Sequence, residues 1–141
     1  MNPLLLDILP WVHQGACCSQ LLLLLLGQHL GKQFPDDLVN AAGGLCYGIG
    51  HSNGVCGLLT GGSLCLALLA KNDIPTRDSL VHDYAVWFEQ YVAPKSVRCE
   101  DICASVPGQA SLSACGDLLA ACWESLCVHA NSYDLLSPNT P

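Results

Sequence analysis

Between residues 38 and 70 the chain carries no Lys, Arg, Asp or Glu, and the stretch changes character half-way. Residues 43–57 are crowded with glycine, whereas 58–70 is dominated by Leu, Ala, Gly and Cys. A glycine-rich lead-in lets backbone approach a neighbouring group closely, and the unpaired N–H groups at a helix start favour an anion such as a thiolate. The stretch therefore reads as a glycine loop that delivers Cys56 to the head of a buried helix over about 55–71. The plain alternative is a core helix with a flexible lead-in and no chemistry.

The flanking segments fit around that helix. Six leucines at 21–26 predict a helix over 16–30 that is apolar on every side and so must be buried on every side. On it, Cys17 and Cys18 point about 100° apart and cannot both face one site. Asn2 and Pro3 read as the cap and first residue of a short helix that Pro10 ends. Phe34-Pro35-Asp36-Asp37 starts another that reaches about Ala42, with acids in its first turn, Asn53-Gly54 marks a turn, and 72–75 is a connector. Residues 76–93 form the cleanest amphipathic pattern, with Leu80, Tyr84, Trp87 and Tyr91 facing the core. A short helical turn comes next over 97–104. The last helix covers 112–130, its apolar face marked by Leu112, Cys115, Leu119, Cys122 and Leu126, and the tail from 132 is expected to fray. Nothing alternates with period two over a useful length. The expected fold is all-α: one domain over 1–141, a compact bundle of about five to six helices in which a Gly-rich loop leads into a buried central helix.

Charge and composition narrow the function. Five Lys+Arg against twelve Asp+Glu give a net charge of −7, with no basic stripe for a phosphate backbone, so nucleic acid is excluded as a partner. The leucine run is stopped by Gln20 and Gly27 and falls short of the ~20 residues of a membrane span. Residues 1–10 place Asp7 inside the apolar part and no basic residue before it, unlike an export signal, so a cytoplasmic protein is expected. The 51% hydrophobic content fits a large core or a face covered in a homodimer. Ten cysteines in a reducing compartment point to reactive thiols or metal ligands before a disulfide framework. There is no Cys-x-x-Cys, and no Cys-x-x-Cys-His for covalent haem. The thiols are dispersed and can converge only through the fold.

Cys56-Gly57-Leu58-Leu59-Thr60-Gly61 after a Gly-rich loop, with Cys18-Ser19-Gln20 at the head of an apolar helix, resembles the C-GCAxxG-C-C family, described as redox-active. The resemblance covers nearly the whole chain; Leu58 departs from it, standing where the motif has Ala. It implies that Cys18, Cys56, Cys99 and Cys115 are the family's four cysteines, with Cys103 and Cys122 as alternatives for the last two. It extends to a domain of split-Soret cytochromes, where haem and an iron–sulfur centre occur. Without the haem motif only the iron–sulfur half carries over: four thiolates would hold a cluster, and Gly48, Gly50, Gly54 and Gly57 would lend backbone N–H groups to its sulfur. His51, five residues before Cys56, is a lesser candidate as ligand or imidazolium partner, the plain reading being an exposed loop histidine. His13, His29, His82 and His129 read as structural.

Two further readings use the same residues. In a dithiol/disulfide relay Cys56 is the attacking thiol and Cys18 or Cys115 the resolving one; zinc or another thiophilic metal is the third choice. Each implies a redox partner protein, and any catalysis would be of oxidoreductase type. From a different class, a helical interaction or structural protein would use its cysteines as packing.

Overall fold

The computed structural model describes residues 3–105 and 112–136, the side chains at 103–105 and 112–114 excepted. The fold is all-α, as the absence of period-two segments predicts. The elements in order are α1 (Pro3–His13), α2 (Cys18–Leu30), α3 (Asp36–Ala42), a 3-10 turn (Gly43–Leu45), α4 (Cys46–His51), α5 (Gly57–Ala70), α6 (Ile74–Tyr91), α7 (Cys99–Ser105) and α8 (Leu112–Ser132). Among the described residues no single helix is long and apolar enough to cross a membrane.

α2 and α5 form the centre. Leu22, Leu23 and Leu26 of α2 and Leu58 and Leu66 of α5 are fully buried, and α5 packs against α2 on one side and α6 and α8 on the others. Glycines make the approach possible. A methyl at Gly61 would lie 2.6 Å from Ser19 Cα, and one at Gly62 would lie 2.5 Å from the Tyr84 ring. Tyr84 uses that space to donate its hydroxyl to the Leu58 carbonyl at 2.7 Å. α2 ends at Gly31 in the left-handed conformation, a common helix stop.

Several expected boundaries move, each for a local reason. Pro10 lies inside α1 instead of ending it. The ring removes the amide that would bond the Leu6 carbonyl, but Leu6 is 60% exposed, where water can serve that carbonyl. Asn2, the expected cap, lies outside the described residues. α6 starts two residues early because Asp73 caps it, accepting from Thr76 N–H at 3.2 Å and Thr76 hydroxyl at 2.7 Å. Its buried stripe is Leu80, Tyr84 and Phe88, and Tyr91, assigned to that face from spacing, is 74% exposed against the half-buried Trp87. The chain after α8 turns back: Leu135 N–H bonds the Ala130 carbonyl and Leu136 is buried, so fraying does not begin at 132. Residues 137–141 of that expectation lie outside the described residues.

Truncating Leu22 in this centre removes a side chain packed on all sides. Leu22→Ala is expected to lower unfolding free energy by about 2–5 kcal/mol in urea titrations, whereas Leu6→Ala on the exposed face of α1 stays within about 0.5 kcal/mol.

Candidate redox site

The site is assembled at the heads of α2 and α5. Cys17 is the residue before α2, in extended conformation, and its N–H donates to Gln20 Oε1 at 3.1 Å. The same Gln20 amide donates to the Val39 carbonyl at 3.0 Å, tying the head of α2 to α3. Cys17 forms a disulfide with Cys46, the first residue of α4, 29 positions along the chain, with Cα atoms 5.9 Å apart, inside the usual span for such a bond. Both half-cystines are buried. Ser19, also buried, donates its hydroxyl to the Ala42 carbonyl at 2.7 Å and lies 3.3 Å from Cys46 Sγ and 3.6 Å from Cys17 Sγ.

Beyond Cys46 the chain winds into a left-handed helical turn. Tyr47, Gly48, Ile49, Gly50 and His51 have φ between 56° and 66°. For a residue with Cβ this conformation costs roughly 1–2 kcal/mol, and three of the five carry one. Compensation is local: Gly48 carbonyl accepts from Gly54 N–H at 2.9 Å and Ser52 N–H at 3.3 Å, and Ser52 hydroxyl donates to the Ile49 carbonyl at 2.7 Å. The Tyr47 and His51 rings stack at 4.8 Å. Glycine at 48 is required twice over, because a methyl there would lie 2.8 Å from Gly54 O and 2.9 Å from Cys99 Cβ. The Gly54 N–H, expected to face sulfur, is engaged by the Gly48 carbonyl.

Cys56 caps the head of α5, and its carbonyl accepts from Leu59 and Thr60 N–H groups. Its own N–H donates to the Val97 carbonyl at 2.8 Å, Val55 pairs with Arg98, and Cys99 N–H donates to the Gly54 carbonyl at 3.0 Å. Residues 54–56 and 97–99 therefore run side by side. Gly57 completes the junction: a methyl there would meet Leu45 O at 3.3 Å and Cys18 Cβ at 3.4 Å. The fold thus brings Cys18, Cys56 and Cys99 to the region of the Cys17–Cys46 bridge. Cys56 is 5% exposed, and Cys18 and Cys99 are half-buried. Cys115 is half-buried on α8, Cys122 lies deep in the core, and the side chain of Cys103 is outside the described residues. His51 is exposed, as its plain reading has it. Among the described residues no three His, Cys, Asp or Glu side chains are grouped to hold a metal ion.

Cys17 and Cys46 are the pair that sequence reasoning passed over. Weighing adjacent Cys17 and Cys18 against each other, as rivals for one site, hid the bridge: the two point apart, and each meets a different neighbour. The signal that could have found it was a cysteine, Cys46, inside an otherwise glycine-rich loop.

The deep thiols behave differently. Burial pushes the Cys65 thiol up to about 12, with nearby Cys127 adding to it. Burial likewise raises Cys122 to about 12, against the opposing hydrogen bond with Tyr84 and with Cys56 adding to it. Cys127 rises to about 11 through burial and neighbouring Glu124. At neutral pH all three are protonated and poor nucleophiles. A groove of about 540 Å3, with Trp11, Gln20, Lys32 and Phe34 among its lining residues, has no cysteine in its walls.

Against this geometry, the family model described as Putative redox-active protein (C_GCAxxG_C_C) matches residues 16–127. The chain belongs to that family. No curated protein and no solved structure matches it. The family segment starts beside Cys17 and ends at Cys127, so it takes in the bridge, the left-handed turn and α5, and leaves α1 outside. The protein is a cysteine-rich, all-α member of a redox-active family.

Two outcomes are expected. Gly48→Ala lowers stability by about 1–3 kcal/mol in chemical denaturation, since it adds a side chain in a strained conformation against Gly54 and Cys99. The Cys65, Cys122 and Cys127 thiols have folded values above their unfolded ones, so the stability they supply is full below about pH 9 and is lost as pH rises towards 11–12. Urea midpoints of the wild-type chain should fall over that window, and less steeply for Cys65→Ala.

Proposed function

We propose that this protein is a thiol–disulfide electron carrier, with the Cys17–Cys46 bridge as its two-electron store and Cys56 as the thiol that exchanges with partners. The observation that carries this reading is the bridge itself, seated where the heads of α2 and α5 meet. Cys56 supplies the nucleophile: it stands at the head of a 14-residue helix, next to Gly57, where α5 meets Cys18. Cys18, the first residue of α2, abuts Gly57 and is the resolving candidate.

The chemistry balances with a dithiol partner as reductant. The Cys56 thiolate attacks one sulfur of the bridge and the S–S bond breaks with its electron pair on the other sulfur; a partner thiolate then attacks Cys56 Sγ, releases the second bridge sulfur, and leaves a mixed disulfide between Cys56 and the partner. The partner's second thiol then attacks the partner's first sulfur, which closes the partner disulfide and releases Cys56 from the mixed disulfide as a thiol. Cys17 and Cys46 are left as two thiols, the partner as a disulfide, and two electrons and two protons have moved.

The iron–sulfur reading rests on Cys18, Cys56 and Cys99 sharing one neighbourhood, and a cluster bound there would supply one-electron transfer. The described thiols are not gathered as a ligand set, so no step is derived through a cluster, and metal analysis becomes one arm of the test. For protein purified without oxygen, the expected result is a colourless, iron-free chain. Labelling should show two more thiols after a dithiol reductant than before, mapping to Cys17 and Cys46, and Cys56→Ser should slow exchange with that reductant at least tenfold. Stoichiometric iron and sulfide with visible absorption would replace this reading by the cluster. A redox titration without any transition would leave a packing role for the cysteines.

A further inference from the structure

Ser19 is a buried polar side chain at the centre of the site, and the exchange steps between the sulfurs do not require it. Resting on the thiol–disulfide reading, we propose that the Ser19 hydroxyl sets the reduction potential of the Cys17–Cys46 bridge by hydrogen bonding the sulfur of Cys46 once the bridge is open.

A hydroxyl has one hydrogen to donate and two lone pairs to accept. In the oxidised protein its hydrogen goes to the Ala42 carbonyl at 2.7 Å, and Cys46 Sγ stands 3.3 Å away as a disulfide sulfur without a hydrogen and with little charge. Reduction changes that partner. As a thiolate, Cys46 accepts the Ser19 hydrogen, a charged acceptor being stronger than a neutral carbonyl. The reduced form thereby gains a contact that the disulfide does not make. Cys17 Sγ, at 3.6 Å, is a more distant acceptor.

The surroundings make this contact count. Gly61 brings the backbone of α5 so close that a methyl there would lie 2.6 Å from Ser19 Cα, and both half-cystines are buried, which leaves water little room to substitute for the hydroxyl. An interaction made only by the reduced state raises the potential. During exchange, the same hydroxyl stabilises charge on Cys46 as the departing sulfur.

The test is a redox equilibration of the full chain against a dithiol/disulfide buffer, quantified by mass mapping of Cys17 and Cys46. Ser19→Ala is expected to shift the equilibrium about tenfold towards the disulfide, which is about 30 mV more negative for a two-electron couple. Ser63→Ala removes a hydroxyl that bonds the Leu59 carbonyl within α5, and should leave the potential unchanged. A stable Ser19→Ala protein with wild-type potential, or a higher one, would overturn the proposal; a purely structural Ser19 would change stability alone. If Ser19→Ala does not fold, the pH profile of alkylation at reduced Cys46 in the wild-type chain decides. Reaction as thiolate well below the ordinary value of about 8.5 supports it, and reaction at or above that value overturns it. If non-reducing maps show no Cys17–Cys46 peptide, the carrier reading falls and Ser19 with it; a reducible bridge with an unmoved potential removes Ser19 only.

Discussion

The site depends on α5 lying directly on the head of α2, and that contact exists because Gly57 and Gly61 have no side chains. At Gly61 the α5 backbone lies so close to Ser19 that a methyl would not fit, and at Gly57 an added methyl would come within 3.4 Å of Leu45 O and Cys18 Cβ. Two apolar helices could pack with larger residues between them at the usual 8–10 Å, but the cysteine heads would then be held apart. Close approach gives up side-chain burial at those positions, and the leucines further along both helices make up for it: Leu22, Leu23 and Leu26 on α2, Leu58 and Leu66 on α5.

From that contact comes a division among the thiols. Those in the body of the bundle, Cys65 and Cys122, sit where burial disfavours the thiolate and keeps them chemically quiet. At the junction Cys18 and Cys99 are partly exposed and the Ser19 hydroxyl stands 3.3 Å from Cys46 Sγ, while Cys17, Cys46 and Cys56 are buried. Under the proposed function one residue type serves as packing in one place and as chemistry in another. The left-handed turn after Cys46 belongs to the second group: its unfavourable backbone is held between the bridge at one end and the Gly48–Gly54 pairing at the other, an arrangement met where function over-determines local conformation.

Much of this architecture was readable in the chain. The six-leucine run could only be a central helix, and Cys56 stands at the head of α5 because a glycine-rich turn there gives way to an uncharged run rich in Leu and Ala. The Leu80 and Tyr84 positions come from period alone. The bridge was not readable, because its halves are 29 residues apart and joined by a turn in which Tyr47, Ile49 and His51 take a conformation that side chains avoid. Nor was Phe88 in place of Tyr91, since a stripe drawn by spacing cannot tell which edge of a helix its neighbours cover.

The sequence by itself determined the all-α class, the central pair of helices and the cysteine at the head of α5, because periodicity, charge depletion and glycine placement are local and act before any long-range contact forms. Only the tertiary structure decided which sulfurs meet, that Cys17 joins Cys46 and that a buried serine stands beside them. Those pairings depend on how closely two helices approach and on which way one turn winds, quantities that belong to the packed molecule and to no single segment of it.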